Sequence, residues 1–288
     1  MTGVWILVSL VLLSLSSASA GLAPQGTAAP AAPAPAAAAA SPSATPLTRA
    51  EMAHFLATAK IIHQKGIPKG ITSPVRVTLS NGTLEHDAAF STVDERKSVM
   101  SFANGRTEID FVDSYKYSLA AYKVAELLGL DNMMPVTVER VWNMKSGALS
   151  WWVDVRWDEG QRLKQHLEPP DAEAWNQQMH RMRVFTALVA DTDRNLGNVL
   201  ISSDWKLWMI DFTRAFRRTH TLIGPENLTR CDRQLLTALR GLKQEDLEAA
   251  TKPYLARPDI QSILARRDAI VALFQKRVAE KGEALVLY

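Results

Sequence analysis

The 288-residue chain has a single cysteine, Cys231, so no internal disulfide can form and a folded part must be held by its core. It also lacks any block of like charge: 33 basic residues against 30 acidic ones leave a formal charge of +3, which argues against a nucleic-acid binder. The six histidines are scattered, and no His/Cys cluster has zinc-ligand spacing. His86-Asp87 is read as strand-edge polarity, and Cys231, at the start of an amphipathic run (Leu235, Leu236, Leu239, Leu242), as a packed residue and not a nucleophile. The apolar run Trp5 to Leu15 is too short for a comfortable membrane span, and Ala18-Ser19-Ala20 before Gly21 has the small-residue form of a signal-peptidase site. A positive n-region is missing apart from the terminal amine. No Cys follows the run, so a lipid-anchored version is not supported. Residues 1–20 therefore read as a cleaved signal peptide, with an uncleaved anchor as the alternative.

Residues 21–47 lack both aromatic and charged side chains and are almost all Ala, Pro, Ser and Gly. Such a tract cannot bury enough apolar surface to offset its chain entropy, so a disordered linker is expected. Residues 48–288 remain, enough for one two-lobed domain with a sizeable core. Asn81-Gly82-Thr83 and Asn227-Leu228-Thr229 match the glycosylation acceptor pattern, a signal that matters only in a eukaryotic secretory pathway.

Thr48-Arg49-Ala50-Glu51 has the capping-box form, and the apolar pattern behind it predicts a helix to about Gly66. Pro74 to Leu79 and Leu84 to Val93 read as strands joined by the hairpin turn Asn81-Gly82. Ser114 can cap a helix with apolar positions Leu119, Ala120, Val124, Leu127 and Leu128, closed by Gly129. Val136 to Trp142 and Leu149 to Val155 read as two more strands, with a turn at Lys145-Ser146-Gly147. Farther on, Asp171 can cap a helix through Trp175, Met179, Met182, Phe185 and Leu188. Its Met and Trp positions read as core, and helical periodicity returns over Cys231 to Leu242, Gln244 to Ala250 and Ser262 to Lys281.

The most informative stretch is Asp193-Arg194-Asn195-Leu196-Gly197-Asn198, followed by Ile210-Asp211-Phe212. The apolar runs Val199-Leu200-Ile201 and Leu207-Trp208-Met209-Ile210 flank Ser202, Ser203 and Asp204, so a hairpin should bring Asn198 and Asp211 side by side. A kinase-type site needs this spacing: one Asp orients the attacking hydroxyl, an Asn five residues on binds metal, and a second Asp grips Mg²⁺ across the phosphates. The bland reading is that Asp193 and Asn198 cap a turn and Asp211 ends a strand. This segment resembles the catalytic core of phosphatidylinositol 3- and 4-kinases. Leu119-Ala120-Ala121-Tyr122, Leu127-Leu128-Gly129-Leu130 and Met134-Pro135-Val136-Thr137-Val138-Glu139-Arg140 are similar to the early helix and following strand of the secreted Golgi casein kinase family.

The resemblance implies an α+β, two-lobed protein-kinase-like domain, with a small mixed β/α lobe over about 48–156 and a mostly helical large lobe over about 157–288. It implies ATP and Mg²⁺ (or Mn²⁺) as cofactors, Asp193 as catalytic aspartate with Asp191 as its rival, and Asn198 and Asp211 as metal ligands. Arg194 is grouped with the catalytic residues, although it could equally pair with a carboxylate to hold the loop. Trp151 and Trp152 fall where the strand enters the interlobe hinge, beside an adenine pocket.

There are departures. Ser91 stands at the strand-lysine position, Ser118 where the Golgi family carries glutamate, Asn195 where the lipid kinases carry histidine, and Thr213 follows Asp211-Phe212 in place of Gly. Lys97, Lys116 and Lys123 are possible substitutes for the lysine, Lys116 being nearest the helix start. No G-x-G-x-x-G loop exists, which leaves the Asn81-Gly82 turn to cover phosphates.

The expected function is thus an exported ATP/Mg-dependent phosphotransferase, secreted or in a periplasm or lumen, acting on a protein, lipid or small-molecule hydroxyl. The expected partners include no nucleic acid, and a membrane only if the signal segment is retained. A catalytically weak kinase-like regulator that binds a nucleotide or partner is the alternative, and a tethered structural envelope protein a third class. N-terminal sequencing of protein recovered outside the cytosol should begin near Gly21; full-length chain in the membrane fraction would make the segment an anchor.

Overall fold

The computed structural model describes residues 46–66, 74–102, 105 and 107–288, so the predicted signal segment and nearly all of the linker lie outside the described residues. Thr48 caps α1 (Arg49–Thr58) in a capping box with Glu51. The helix predicted to reach Gly66 stops at Thr58, and Lys60–Gly66 forms strand β1. Two causes combine. The β-branched pair Ile61-Ile62 suits a pleated strand, which pairs antiparallel with β2 (Val75–Ser80). Arg140, far along the chain, caps the helix by donating to the carbonyls of Leu56 and Ala59, the latter at 2.6 Å.

The turn after β2 is the expected Asn81-Gly82, with Asn81 Oδ1 accepting from the N–H groups of Thr83 and Leu84 and Gly82 at φ +88°. It leads into β3 (Glu85–Ser91). Next comes a two-stranded ribbon that periodicity did not predict, β4 (Asp94–Ser101) and β5 (Thr107–Ser114). Its strands are largely exposed, so no apolar alternation marks them. Ser114 Oγ then accepts from Lys116 N–H and caps α2 (Tyr115–Leu127), which buries Leu119, Ala120, Ala121 and Val124. Strands β6 (Thr137–Trp142) and β7 (Lys145–Trp151) complete a five-stranded sheet in the order β1-β2-β3-β7-β6.

The turn between β6 and β7 lies at Asn143-Met144, both left-handed (φ +49° and +59°), and not at Lys145-Ser146-Gly147. Gly147 sits inside β7 for a different reason. A Cβ there would stand 2.5 Å from the Ser91 carbonyl oxygen and 2.7 Å from the Phe90 ring, so only glycine lets the strands close.

Beyond the sheet, β8 (Trp157–Asp158), α3 (Glu159–Lys164) and α4 (Ala172–Val189) lead to the hairpin β9 (Val199–Ile201) and β10 (Leu207–Met209). These form a small sheet, β10-β9-β8. Helices α5 (Arg233–Gly241), α6 (Gln244–Thr251) and α7 (Arg257–Lys281) follow. One apolar core runs from Phe55 and Leu79 through Ala121 and Phe185 to Ile270 and Phe274. Each large side chain buried there contributes about 1.5–3 kcal/mol. Cys231 is fully buried, and burial pushes its thiol up to about 12, which suits a packed residue and not a nucleophile. Among the described residues no helix is long and apolar enough to cross a membrane.

Gly147→Ala should destabilise the fold by about 1–3 kcal/mol through overpacking against Phe90 and the β3 backbone. Urea unfolding measures it; an unchanged midpoint would mean the strands have slack at that contact.

Candidate active site

Helix α4 ends on Ala190 in the left-handed conformation, and the chain turns at once into the loop 191–198. Arg194 organises that loop. Its Nε donates to Asp191 Oδ2 at 2.8 Å, its Nη1 to the carbonyls of Asn198 (2.8 Å) and Ile210 (2.6 Å), and its Nη2 to that of Asp211 (3.3 Å). Nη2 also lies 2.5 Å from Asp191 Oδ2, and the guanidinium covers the Phe212 ring at 4.1 Å. All of its donors are thereby committed to the scaffold. The structure thus departs from the grouping of Arg194 with the catalytic residues: it spans both flanks of the hairpin and has no N–H left for a substrate.

Asp191 is buried beneath that arginine. Burial pushes its carboxyl up from the ordinary range, while the Arg194 charge opposes the rise. The rival for the base role is therefore an internal ion-pair partner. Asp193 is exposed. Its backbone N–H donates to Asp191 Oδ1 at 3.1 Å, and its carbonyl accepts from Asn198 Nδ2 at 3.0 Å. That last bond turns Asn198 Oδ1 the other way. Ile210 N–H donates to the Asn198 carbonyl at 3.2 Å, so the β9–β10 hairpin brings Asn198 next to the strand end that carries Asp211. Asp211 is exposed with φ +56°, a left-handed conformation held by an Asx turn in which Thr213 N–H donates to its Oδ1 at 3.4 Å, and Thr213 Oγ1 donates to the same oxygen at 2.9 Å. The Asp211 carboxylate and the Asn198 amide oxygen, carried on the two flanks of one hairpin, are both hard oxygen donors. Mg²⁺ is usually held by one or two carboxylates together with substrate phosphates and water, and the residues fit that pattern. Among the described residues, no three His, Cys, Asp or Glu side chains form a ready-made metal cage.

Solved structures share this architecture. A hydra Fam20 structure with sugar aligns at a TM-score of 0.63 and 13% identity, covering 83% of this chain and 91% of that one. The Golgi casein kinase aligns at 0.60, with 13% identity over 83% of this chain and 78% of that one, and its form with Mn and ADP bound at 0.61. The chain has a Fam20-like atypical kinase fold. No family model and no curated protein sequence matches it.

In this Fam20-like fold the large sheet has two unlike faces. Ala88 and Phe90 point to the face covered by α1, while Ala89 and Ser91 point to the other, by strand alternation. Trp151 pairs with Ala88, stacks on His86 at 3.7 Å and meets Phe55 of α1 edge-on at 5.8 Å. Trp151 therefore belongs to the α1 face, opposite the face that Ser91 takes. Trp152, one residue on, lies under Arg76 with 4.2 Å from guanidinium to ring centroid. Arg76 pairs in register with Ala89, so Trp152 remains on the Ser91 face. The Asn81-Gly82 turn is also misplaced as a phosphate cover, because it closes the end of β3 opposite Ser91. The β1–β2 connection, residues 67–73, falls outside the described residues.

The ammonium of Lys116 is bound by Asp94 at 2.7 Å. Asp94 also accepts from Ser114 Oγ, and Ser114 N–H donates to the Thr213 carbonyl two residues past Asp211. Lys116 is thus linked to the Asp211 segment through Asp94 and Ser114; no contact joins it to Asp193, Asn198 or Asp211. Lys97 pairs with Glu95 and Lys123 with Glu126, both at the surface.

Sequence reasoning missed three residues here. Asp113, the penultimate residue of β5, is near Asp211; burial, with the Asp211 charge adding to it, pushes its carboxyl up. Arg214 and Glu108 form an ion pair between the segment after Asp211 and the ribbon. No spacing rule joins residues this far apart. A cavity of about 740 Å³ is lined by Thr192, Arg96, Lys97, Asp110, Arg217 and Arg218, among others.

Arg194→Met should leave Asp191 buried without its partner and destabilise the protein by about 3–5 kcal/mol. Denaturant unfolding is the measurement, and a loss under about 1 kcal/mol would place the pair among inert surface bridges.

Proposed function

We propose that the chain is an exported phosphotransferase that moves the γ-phosphoryl group of ATP to a hydroxyl acceptor. The observation that carries this reading is the β9–β10 hairpin, which joins Asn198 and Asp211 while Arg194 ties the Asp193 loop to the same hairpin. Asp193, exposed and anchored through its backbone, orients the acceptor hydroxyl and takes its proton as the new O–P bond forms and ADP departs. Asn198 Oδ1 and the Asp211 carboxylate are the proposed holders of Mg²⁺ or Mn²⁺. A bound divalent ion neutralises the charge on the β- and γ-phosphates. Support for a nucleotide and a divalent metal comes from the similar Golgi casein kinase, whose structure holds Mn and ADP.

Lys116, steadied by Asp94 at the head of α2, is the proposed cation for the phosphates in place of the absent strand lysine. Trp152 is the proposed neighbour of the base. The cavity beyond Thr192 is the proposed acceptor side. Its lining carries Arg96, Lys97, Arg217 and Arg218 against the single carboxylate Asp110, with Arg217 held by the half-buried Glu108 and Arg218 by the buried Asp259, a balance that favours an acceptor with negative charge near its hydroxyl. Export rests on the predicted signal segment, and the Golgi residence of the similar kinase agrees with it. The domain reading is residues 1–20 as signal peptide, 21–47 as linker and 48–288 as the kinase-like domain.

Nucleotide binding and transfer should separate the roles. Asp211→Ala should abolish metal-dependent ATP binding in calorimetry with the fold intact, and Asp193→Ala should keep binding and lose transfer. Lys116→Met should weaken ATP binding, and Arg218→Glu should raise KM for the acceptor alone. ATP binding by Asp211→Ala and Asp193→Ala at parental affinity would sink the kinase reading. A parent that binds ATP and transfers nothing would instead support the regulatory alternative.

A further inference from the structure

The β4–β5 ribbon buries little of itself. Val99 and Ile109 face each other across it with 55% and 69% of their surfaces exposed, and a two-stranded ribbon is marginal on its own. What it delivers is Glu108. This carboxylate lies between two arginines of the segment after Asp211, with Arg214 Nη2 at 2.6 Å from Oε2 and Arg217 Nη1 at 3.1 Å from Oε1. Arg217 also donates to the carbonyls of Asp110 (2.5 Å) and Ile109 (2.6 Å), which locks it along the ribbon. Arg214 packs over the Phe111 ring at 4.4 Å.

The far side of the same segment holds the catalytic loop. The Arg214 carbonyl accepts from Thr192 N–H (3.4 Å) and Thr192 Oγ1 (3.1 Å), one residue before Asp193. Thr213, between the arginine and Asp211, binds Asp211 with its hydroxyl and Ser114 with its carbonyl. The segment is therefore gripped by the ribbon and the start of α2 on one side and by the Asp193 loop on the other. Kinases need their strand lysine and helix glutamate paired for activity. Ser91 and Ser118 stand at the positions that the family resemblance assigns to that pair.

We propose that Glu108 is a positioning residue for phosphoryl transfer, holding through Arg214 and Arg217 the segment that carries Asp211 against the loop that carries Asp193. The proposal rests on the phosphotransferase reading above. It places the tie between ribbon and active site where the missing lysine–glutamate pair cannot supply one. Charge-assisted contacts in a partly buried setting suit this task, because each carboxylate oxygen of Glu108 takes its own guanidinium and so fixes both arginines at once.

Glu108→Gln keeps the shape and removes the charge. In the full chain, assayed with Mn²⁺-ATP and an acceptor protein such as casein or a small hydroxyl acceptor, kcat should fall at least about tenfold while KM for ATP stays within about twofold. Arg214→Met should lose as much, and the double variant no more than either single one, since both break one unit. Hydrogen exchange supplies a readout without activity: amides 211–217 should exchange faster in Glu108→Gln. Parental kcat in folded Glu108→Gln, or single losses that multiply in the double variant, would overturn the proposal. If Glu108→Gln does not fold, Arg214→Lys, which keeps charge and loses the fork, is read in its place, with the same fall in kcat expected and parental kcat decisive against it. A parent that transfers nothing to any acceptor overturns the phosphotransferase reading itself, whereas an active parent with an equally active Glu108→Gln overturns only the role of Glu108.

Discussion

The fork of Arg194 is the interaction on which the rest of the site depends. One guanidinium reaches a buried carboxylate, the carbonyl before β9 and the two carbonyls after β10. Loops expose backbone carbonyls that need partners, and a rigid planar donor can satisfy several at fixed angles. Burial of Asp191 sharpens the arrangement. With its carboxylate removed from water, losing the arginine would strand a charge, so the loop has one low-energy arrangement. Asp193 and Asn198 inherit their positions from it, and Asp211 takes its left-handed backbone with the Ile210 carbonyl tied to Arg194 and its own Oδ1 accepting from Thr213 N–H.

A second arginine works in the same way one layer deeper. Arg266 of α7 is fully buried and donates to the carbonyls of Leu188, Arg217 and Thr219, joining α4 to the segment that follows the site. Burial lowers its pKa to about 10, still far above neutral pH, so it stays a cation there. The segment 211–219 is thus pinned from below by Arg266, from the side by the Asp193 loop and from above by Glu108. A stretch with no regular secondary structure keeps a defined path because charged forks take up its carbonyls and side chains.

The parts that were legible in the sequence have local causes. The capping box at Thr48, the N-caps at Ser114 and Asp171, the Asn81-Gly82 turn and the β9–β10 hairpin all follow from side chains acting on backbone a few residues away. The misreadings have non-local causes. The first helix ended early because Arg140 and a strand partner claimed its tail. Gly147 reads locally as a turn residue, but its missing Cβ serves the Phe90 ring of another strand. The β4–β5 ribbon left no apolar alternation to read, since most of its strand residues face water.

By itself the sequence determined the spacing from Asp193 to Asn198 and across the hairpin to Asp211, because a five-residue loop and a short antiparallel pair admit few paths. It also determined that no strand lysine or helix glutamate would stand at positions 91 and 118. Only the tertiary structure decided which sheet face Trp151 takes, that Lys116 belongs to Asp94, and that Glu108 meets Arg214 from 106 positions away. Register and ion pairing between distant segments are settled by the packing of the whole core, where a shift of one residue reverses a side chain's face.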